Sequence, residues 1–245
     1  MSKFLYPIKK LKIEPWIKYF LMKKSKTILP KEYQKVAYIE SSGTQYINTN
    51  YTPNSNTKYK LTMKFNELGT ISYLISARST NYRNDLYLAT SNKLSVGYGN
   101  EYKNSDFIVE KDIKYNIVSD KNLLYVNKNL VWTSTEQEFI NTVKAVIFAR
   151  NYNDEIGSFI SAKLYSCKIY ENDILVRNFI PCFRKEDNEV GLYDTVNKEF
   201  YTNAGTGTFN YGNEEIEVEQ NSSLLFQNKA FQKSINLKNN YESEE

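Results

Sequence analysis

Two stretches of the chain gather the kinds of group that hold a sugar. Arg78-Ser79-Thr80-Asn81-Tyr82-Arg83-Asn84-Asp85 and Tyr98-Gly99-Asn100-Glu101-Tyr102 mix aromatic rings with amides and guanidiniums. A ring packs under the apolar face of a pyranose, and adjacent amide and guanidinium groups take its hydroxyls. Two of the chain's five arginines fall within six residues here. Arg78, Tyr82, Arg83, Tyr98 and Tyr102 are therefore the candidate ligand-binding residues. The same composition also fits a solvated connection between strands, and with 21 tyrosines in the chain surface tyrosine is common.

Other chemistries have less to work with. The chain contains no histidine. That removes the commonest general base and metal ligand, and with it Ser-His-Asp, Cys-His and His-zinc sites. Asp85, Asp106, Asp120 and Asp194 offer oxygens of the kind calcium takes, but no Asp/Asn cluster has a loop spacing that demands an ion. No metal, cofactor or catalytic residue is assigned, and the chain is expected not to be an enzyme.

The two cysteines, Cys167 and Cys182, are placed by the turn between them. Asn172-Asp173 reads as a two-residue hairpin turn, which sets Glu171 opposite Ile174 and Cys167 opposite Asn178. Cys182 then lies four residues beyond that partner, on the order of 13 Å along the strand. A disulfide needs Cα atoms within about 7 Å. Two free, packed thiols are expected, as suits a reducing compartment.

The elements that must carry these residues are strands. Residues 58–65, Lys-Tyr-Lys-Leu-Thr-Met-Lys-Phe, alternate polar and apolar, the mark of a half-buried strand. Further strands are predicted at 36–39, 45–47, 71–77, 85–89, 94–98, 114–118, 123–126, 145–148, 162–170 and 174–180, separated by turn residues. Aromatic residues make up 15% of the chain, and Tyr and Phe pack well on a pleated surface. Many short strands at this spacing predict an all-β, two-sheet sandwich.

Charge divides the chain into three. Residues 1–29 hold eight lysines against one acid, Glu14; residues 213–245 hold seven glutamates against three lysines; the body, 30–212, is close to neutral. The expected organisation is a basic N-terminal arm (1–29), a sandwich (30–212) and an acidic C-terminal extension (213–245). Lysine outnumbers arginine 27 to 5, which is also what an AT-rich genome produces. The neutral body lacks the basic signature of a nucleic-acid binder. No apolar run of about 18 residues is present, so no transmembrane helix is expected. Lys18 interrupts the apolar residues 16–22, and no secretory signal is read there.

Three blocks carry a family resemblance. The first is Tyr38-Ile39-Glu40-Ser41-Ser42-Gly43-Thr44-Gln45-Tyr46-Ile47-Asn48-Thr49. The second is Ala162-Lys163-Leu164-Tyr165-Ser166-Cys167-Lys168-Ile169-Tyr170 with Leu175-Val176-Arg177-Asn178-Phe179-Ile180-Pro181. The third is Glu189-Val190-Gly191-Leu192-Tyr193-Asp194 with Glu199-Phe200-Tyr201-Thr202-Asn203-Ala204-Gly205-Thr206-Gly207. Together, over about 33–212, they resemble a LamG-like, concanavalin A-like jelly-roll module of bacteriophage virion and bacterial surface proteins. Within them Gly43 and Gly191 are read as turn glycines. Tyr46, Tyr170, Phe179 and Tyr193 are read as inward packing, and residues 203–207 as the turn that returns the last strand beside the first.

The resemblance implies a two-sheet antiparallel jelly-roll sandwich and a binding role defined by scaffold rather than ligand. That scaffold also hosts glucanases, whose strand carries Glu-x-Asp-x-x-Glu and sets two carboxyls about 5–5.5 Å apart. The body has no such run. Glu215, Glu217 and Glu219 alternate but follow the last motif, as a charged edge strand does. The expected role is a bacteriophage virion component whose sandwich binds host-surface glycan and whose arms dock on neighbouring subunits in a homo-oligomer. A virion decoration protein without a ligand and a bacterial surface adhesin are the alternatives.

Overall fold

The computed structural model describes residues 29–215. The basic arm up to residue 28 and the acidic alternation after Glu215 lie outside the described residues. Within them no helix occurs.

Nineteen strands make up the described residues. The chain opens with β1 (Tyr33–Lys35), β2 (Ile39–Ser42), β3 (Ile47–Asn48) and β4 (Thr57–Phe65). A run of hairpins follows: β5 (Ser72–Arg78), β6 (Arg83–Leu88), β7 (Lys93–Gly99) and β8 (Glu101–Ile108). Then come β9 (Lys114–Asp120), β10 (Leu123–Val126), β11 (Asn129–Thr133), β12 (Val146–Ile147), β13 (Arg150–Tyr152) and β14 (Glu155–Gly157). The last are β15 (Ser161–Glu171), β16 (Ile174–Arg184), β17 (Val190–Asp194), β18 (Glu199–Thr202) and β19 (Asn210–Tyr211).

They form two sheets. The larger runs β11-β10-β9-β4-β15-β16-β17-β18, with β1 on β16, β2 on β15 and β19 on β2. The smaller runs β14-β13-β5-β6-β7-β8, with β12 between β5 and β3. Pairing is antiparallel except for one parallel bridge, Tyr152 to Arg78. The protein is an all-β antiparallel sandwich, as its strand spacing predicts.

Alternation explains how the core forms. On β4, Tyr59, Leu61, Met63 and Phe65 are buried while Lys58, Lys60 and Lys64 point away. From the smaller sheet Leu74, Ile75, Leu86, Leu88, Leu94 and Val96 meet them, with Phe148, Phe179 and Ile39 filling the centre. β19 pairs with β2, so the chain does return beside its start. Beyond it, Glu214 bridges Val36, and Lys35 pairs with Glu215 at 2.7 Å. Residues grouped by charge with the extension thus contribute to the sandwich edge.

Four details differ from the sequence reading. The Asn172-Asp173 turn has both residues at positive φ, 50° and 61°, the type I′ geometry that suits a two-residue hairpin. A bulge between Ile169 and Tyr170 then shifts the register, so Cys167 faces Phe179 rather than Asn178. Both cysteines are free and buried. Gly191 lies within β17, not in a turn; a Cβ there would come 2.2 Å from the Tyr201 carbonyl oxygen of β18. Tyr46 and Tyr170 are half-buried, while Phe179 and Tyr193 are buried. Residues 101–108, where no strand is predicted, form the largely exposed strand β8.

Candidate binding face of the smaller sheet

The five candidate residues divide between two sides of the smaller sheet. Leu86 and Leu88 of β6 point into the core, so Arg83, Asp85 and Tyr87 point outward. Register then assembles the outer face in rows. Arg78 faces Arg83, Ser76 faces Asp85, and Tyr73 faces Tyr87. On the next strands Gly97 lies beside Asp85 and Tyr102 beside Gly97. Arg78 and Arg83 bracket a short connection, residues 79–82, closed by the Ser79 amide donating to the Tyr82 carbonyl at 2.9 Å.

Arg78, Arg83 and Tyr102 belong to this outer face. Tyr82 and Tyr98 do not. Tyr98 is 3% exposed, meets Phe139 edge-on at 5.1 Å, and donates its hydroxyl to the Ser55 and Gln137 carbonyls, both at 3.1 Å. Tyr82 stacks on the same Phe139 at 5.3 Å. Both rings pack toward the core, Tyr98 buried and Tyr82 half-buried.

Three residues absent from the sequence list complete the outer face. The bridge from Tyr152 to Arg78 brings β13 alongside β5. Arg78 lies over the Tyr152 ring at 4.7 Å and Arg150 approaches the same ring at 5.9 Å. Across the sheet Arg83 lies over Tyr102 at 4.3 Å. The face therefore carries two arginine–tyrosine stacks, with Tyr102 63% exposed at the rim. Gly97 makes the floor low: a Cβ there would sit 3.1 Å from Arg83 side-chain carbons and from Asp85 Oδ2.

Asp85 is the third residue that the sequence list of ligand-binding candidates did not include. It is 2% exposed. Ser76 Oγ donates to its Oδ1 at 2.6 Å, and its Oδ2 has no hydrogen-bond partner among the described residues. Burial pushes its carboxyl up to about 7, against the Ser76 hydrogen bond and the positive charge of Arg83, Arg78 and Arg150. Tyr73 and Tyr87 stack beside it at 5.1 Å.

The other acids considered for calcium stand apart from it. Asp106 pairs with Lys93 at 3.1 Å and Asp120 with Lys58 at 2.9 Å. Asp194 accepts the Asn178 and Val196 amides. Among the described residues no group of three or more His, Cys, Asp or Glu is placed to hold a metal ion.

The outer face of the larger sheet is also basic, but its charges are largely matched. Lys58, Lys64 and Lys163 pair with Asp120, Asp112 and Glu40. Lys60, Lys114 and Lys163 cover the rings of Tyr170, Tyr165 and Tyr38. Two surface hollows lie away from the arginine face. One of about 300 Å³ borders Leu29, Tyr33 and Glu214, and one of about 260 Å³ lies at Lys60, Thr62 and Lys168. On the arginine face Tyr102 is exposed at the rim, whereas Ser76, Asp85, Tyr73 and Tyr87 are buried.

No family model matches the chain, and no curated protein matches its sequence. Similarity to solved structures is found. A proposed carbohydrate-binding protein from Bacteroides ovatus ATCC 8483 matches with 8% identity and a TM-score of 0.51, over 74% of this chain and 62% of that one. The chain thus spans less than two thirds of that protein's length. The CBM40 of a Ruminococcus gnavus IT-sialidase, bound to α2,3-sialyllactose, matches with 13% identity and a TM-score of 0.44, over 59% of this chain and 91% of that one. A heptameric SAP-like pentraxin from Limulus polyphemus matches with 11% identity and a TM-score of 0.47, over 74% and 94%. At such identities the first likeness bears on the fold alone, and the other two, below a TM-score of one half, carry no argument.

Proposed function

We propose that this chain is a non-enzymatic carbohydrate-binding module that takes a glycan on the outer face of its smaller sheet. The observation that carries this reading is the pair of arginine–tyrosine stacks, Arg83 on Tyr102 and Arg78 on Tyr152, flanking a floor of Gly97 and Asp85. Rings with adjacent hydrogen-bond donors are what a pyranose needs from a binding surface. The likeness in fold to a proposed carbohydrate-binding protein supports it. Catalysis is disfavoured by the company Asp85 keeps. The charged groups that act on it are three arginines, whereas sugar hydrolysis uses a facing pair of carboxyls.

The same reading places the module in a bacteriophage particle as a host-glycan receptor, with neighbouring virion subunits as partners of the terminal segments. Support for that placement comes from the three sequence blocks and from the opposite charges of residues 1–29 and 213–245.

A glycan array probed with the full chain tests the reading. Specific binding is expected, with Arg83→Ala and Tyr102→Ala each weakening it tenfold or more and Lys128→Ala leaving it unchanged. Absence of binding to every glycan would overturn it. Labelling of purified phage particles by an antibody against the chain tests the placement.

A further inference from the structure

Three of the five arginines share the outer face of the smaller sheet, with the buried Asp85 as their carboxyl neighbour. Arg177 lies 3.6 Å from Asp194, and Arg184 is paired with Asp187. Arg78, Arg83 and Arg150 have no carboxylate within ion-pair distance among the described residues. Arg78 sits directly across from Arg83, and like charges placed opposite each other weaken a sheet. Arg150 Nε is buried without an acceptor, and Asp85 Oδ2 is buried without a donor. Orphaned buried polar groups carry a free-energy cost. Here an unmet donor and an unmet acceptor lie on the same side of the smaller sheet, within electrostatic reach of each other.

We propose that the sugar read by this face is an acidic one, its carboxylate seated between Arg78, Arg83 and Arg150. This rests on the glycan-binding reading above and narrows its ligand class. The planar guanidinium fork takes the two oxygens of a carboxylate in parallel, a fit that a lysine does not reproduce. The two arginine–tyrosine stacks hold the forks of Arg78 and Arg83 in place before the ligand arrives, which limits the entropy lost on binding. A neutral sugar would bring no counter-charge to these arginines.

Asp85 adds a pH dependence. The groups facing it are Tyr73, Ser76 and Arg78 on β5, Arg83 and Tyr87 on β6, and Arg150 on β13. Tyr59 of β4 senses it from within the core. Ionised, the buried Asp85 carboxylate competes with a ligand carboxylate for the same three arginines; protonated, it does not. Affinity for an acidic sugar therefore falls as pH rises through about 7.

The test uses the full chain on an array of uronate-bearing and sialylated glycans. Each is printed beside a twin whose carboxyl has been reduced to an alcohol, with sulfated and neutral glycans alongside. The expected result is binding that drops at least tenfold on carboxyl reduction. Arg150→Ala should abolish it, and Arg150→Lys, which keeps the charge but not the fork, should restore only part. Arg184→Ala, at the paired arginine, should leave binding unchanged. Equal binding to the reduced twins would overturn the acidic-sugar assignment while leaving the carbohydrate reading intact. Binding to sulfated glycans alone would overturn the carboxylate. Loss of binding in Arg150→Ala with full recovery in Arg150→Lys would overturn the fork. Silence across the array would overturn both readings. Thermal melts of each variant separate lost binding from lost folding.

Discussion

Asp85 concentrates the protein's chemistry at one atom pair. Burial drives its carboxyl up to about 7, and Ser76 with three arginines pulls the other way without winning. A carboxyl raised above its unfolded value of about 3.9 binds its proton more tightly in the folded state. Its stabilising contribution is therefore complete below that value and is lost as pH rises through about 7. The difference amounts to on the order of 4 kcal/mol. Urea unfolding of the wild type is expected to show falling stability from pH 4 to pH 8, and Asp85→Asn should flatten most of that slope. An unchanged slope would mean that Asp85 titrates normally. Asp85 was legible in the sequence as an acid beside Arg83, but not as a buried one. Its neighbours across the sheet, Ser76 of β5 and Gly97 of β7, are set by strand register that no local pattern gives.

At the scale of the element, close strand approach and register do the work. Gly191 of β17 lies against the Tyr201 carbonyl of β18 and the Phe200 ring. Gly191→Ala is expected to destabilise the fold by about 1–3 kcal/mol, as overpacking does, read as a lower urea midpoint with an unchanged slope. The sequence signalled a special glycine there but not its reason, since a turn and a tight strand crossing both call for glycine. The hairpin of β15 and β16 shows the same limit. Asn172-Asp173 announces its turn through residues that tolerate positive φ. The bulge at Ile169–Tyr170 leaves no comparable mark. The thiols that flank it are buried, and burial pushes Cys182 up to about 12 and Cys167 higher. Neither should react with a thiol reagent in the folded protein, and both should react once it is denatured.

Over the whole molecule, the two sheets bury one main core between them, and residues 213–215 close its edge against β1 and the residues after it. That core draws on strands from both ends of the described chain. A chain reduced to residues 29–215 is therefore expected to unfold cooperatively, with a midpoint within a few degrees of the full chain. Its glycan binding should be retained. Loss of cooperative unfolding would mean that the terminal segments complete the core. One cut at 212 instead should cost stability, because it removes the Glu215 amide bond to Lys35 and the Lys35–Glu215 pair.

By itself the sequence determined the class of this protein: strands, their turns, a two-sheet sandwich and free cysteines. All of these follow from local signals, the period of two along a strand and the few residues that accept positive φ. It also singled out Arg78, Arg83 and Tyr102. The tertiary structure alone decided which side of the sheet each candidate faces, sending Tyr82 and Tyr98 to Phe139 and leaving the arginines outside. It alone brought Arg150 and Tyr152 beside Arg78, through a single parallel bridge between strands far apart in the chain. The physical reason is that facing depends on register, and register is set by bulges and by pairing partners that no local pattern encodes.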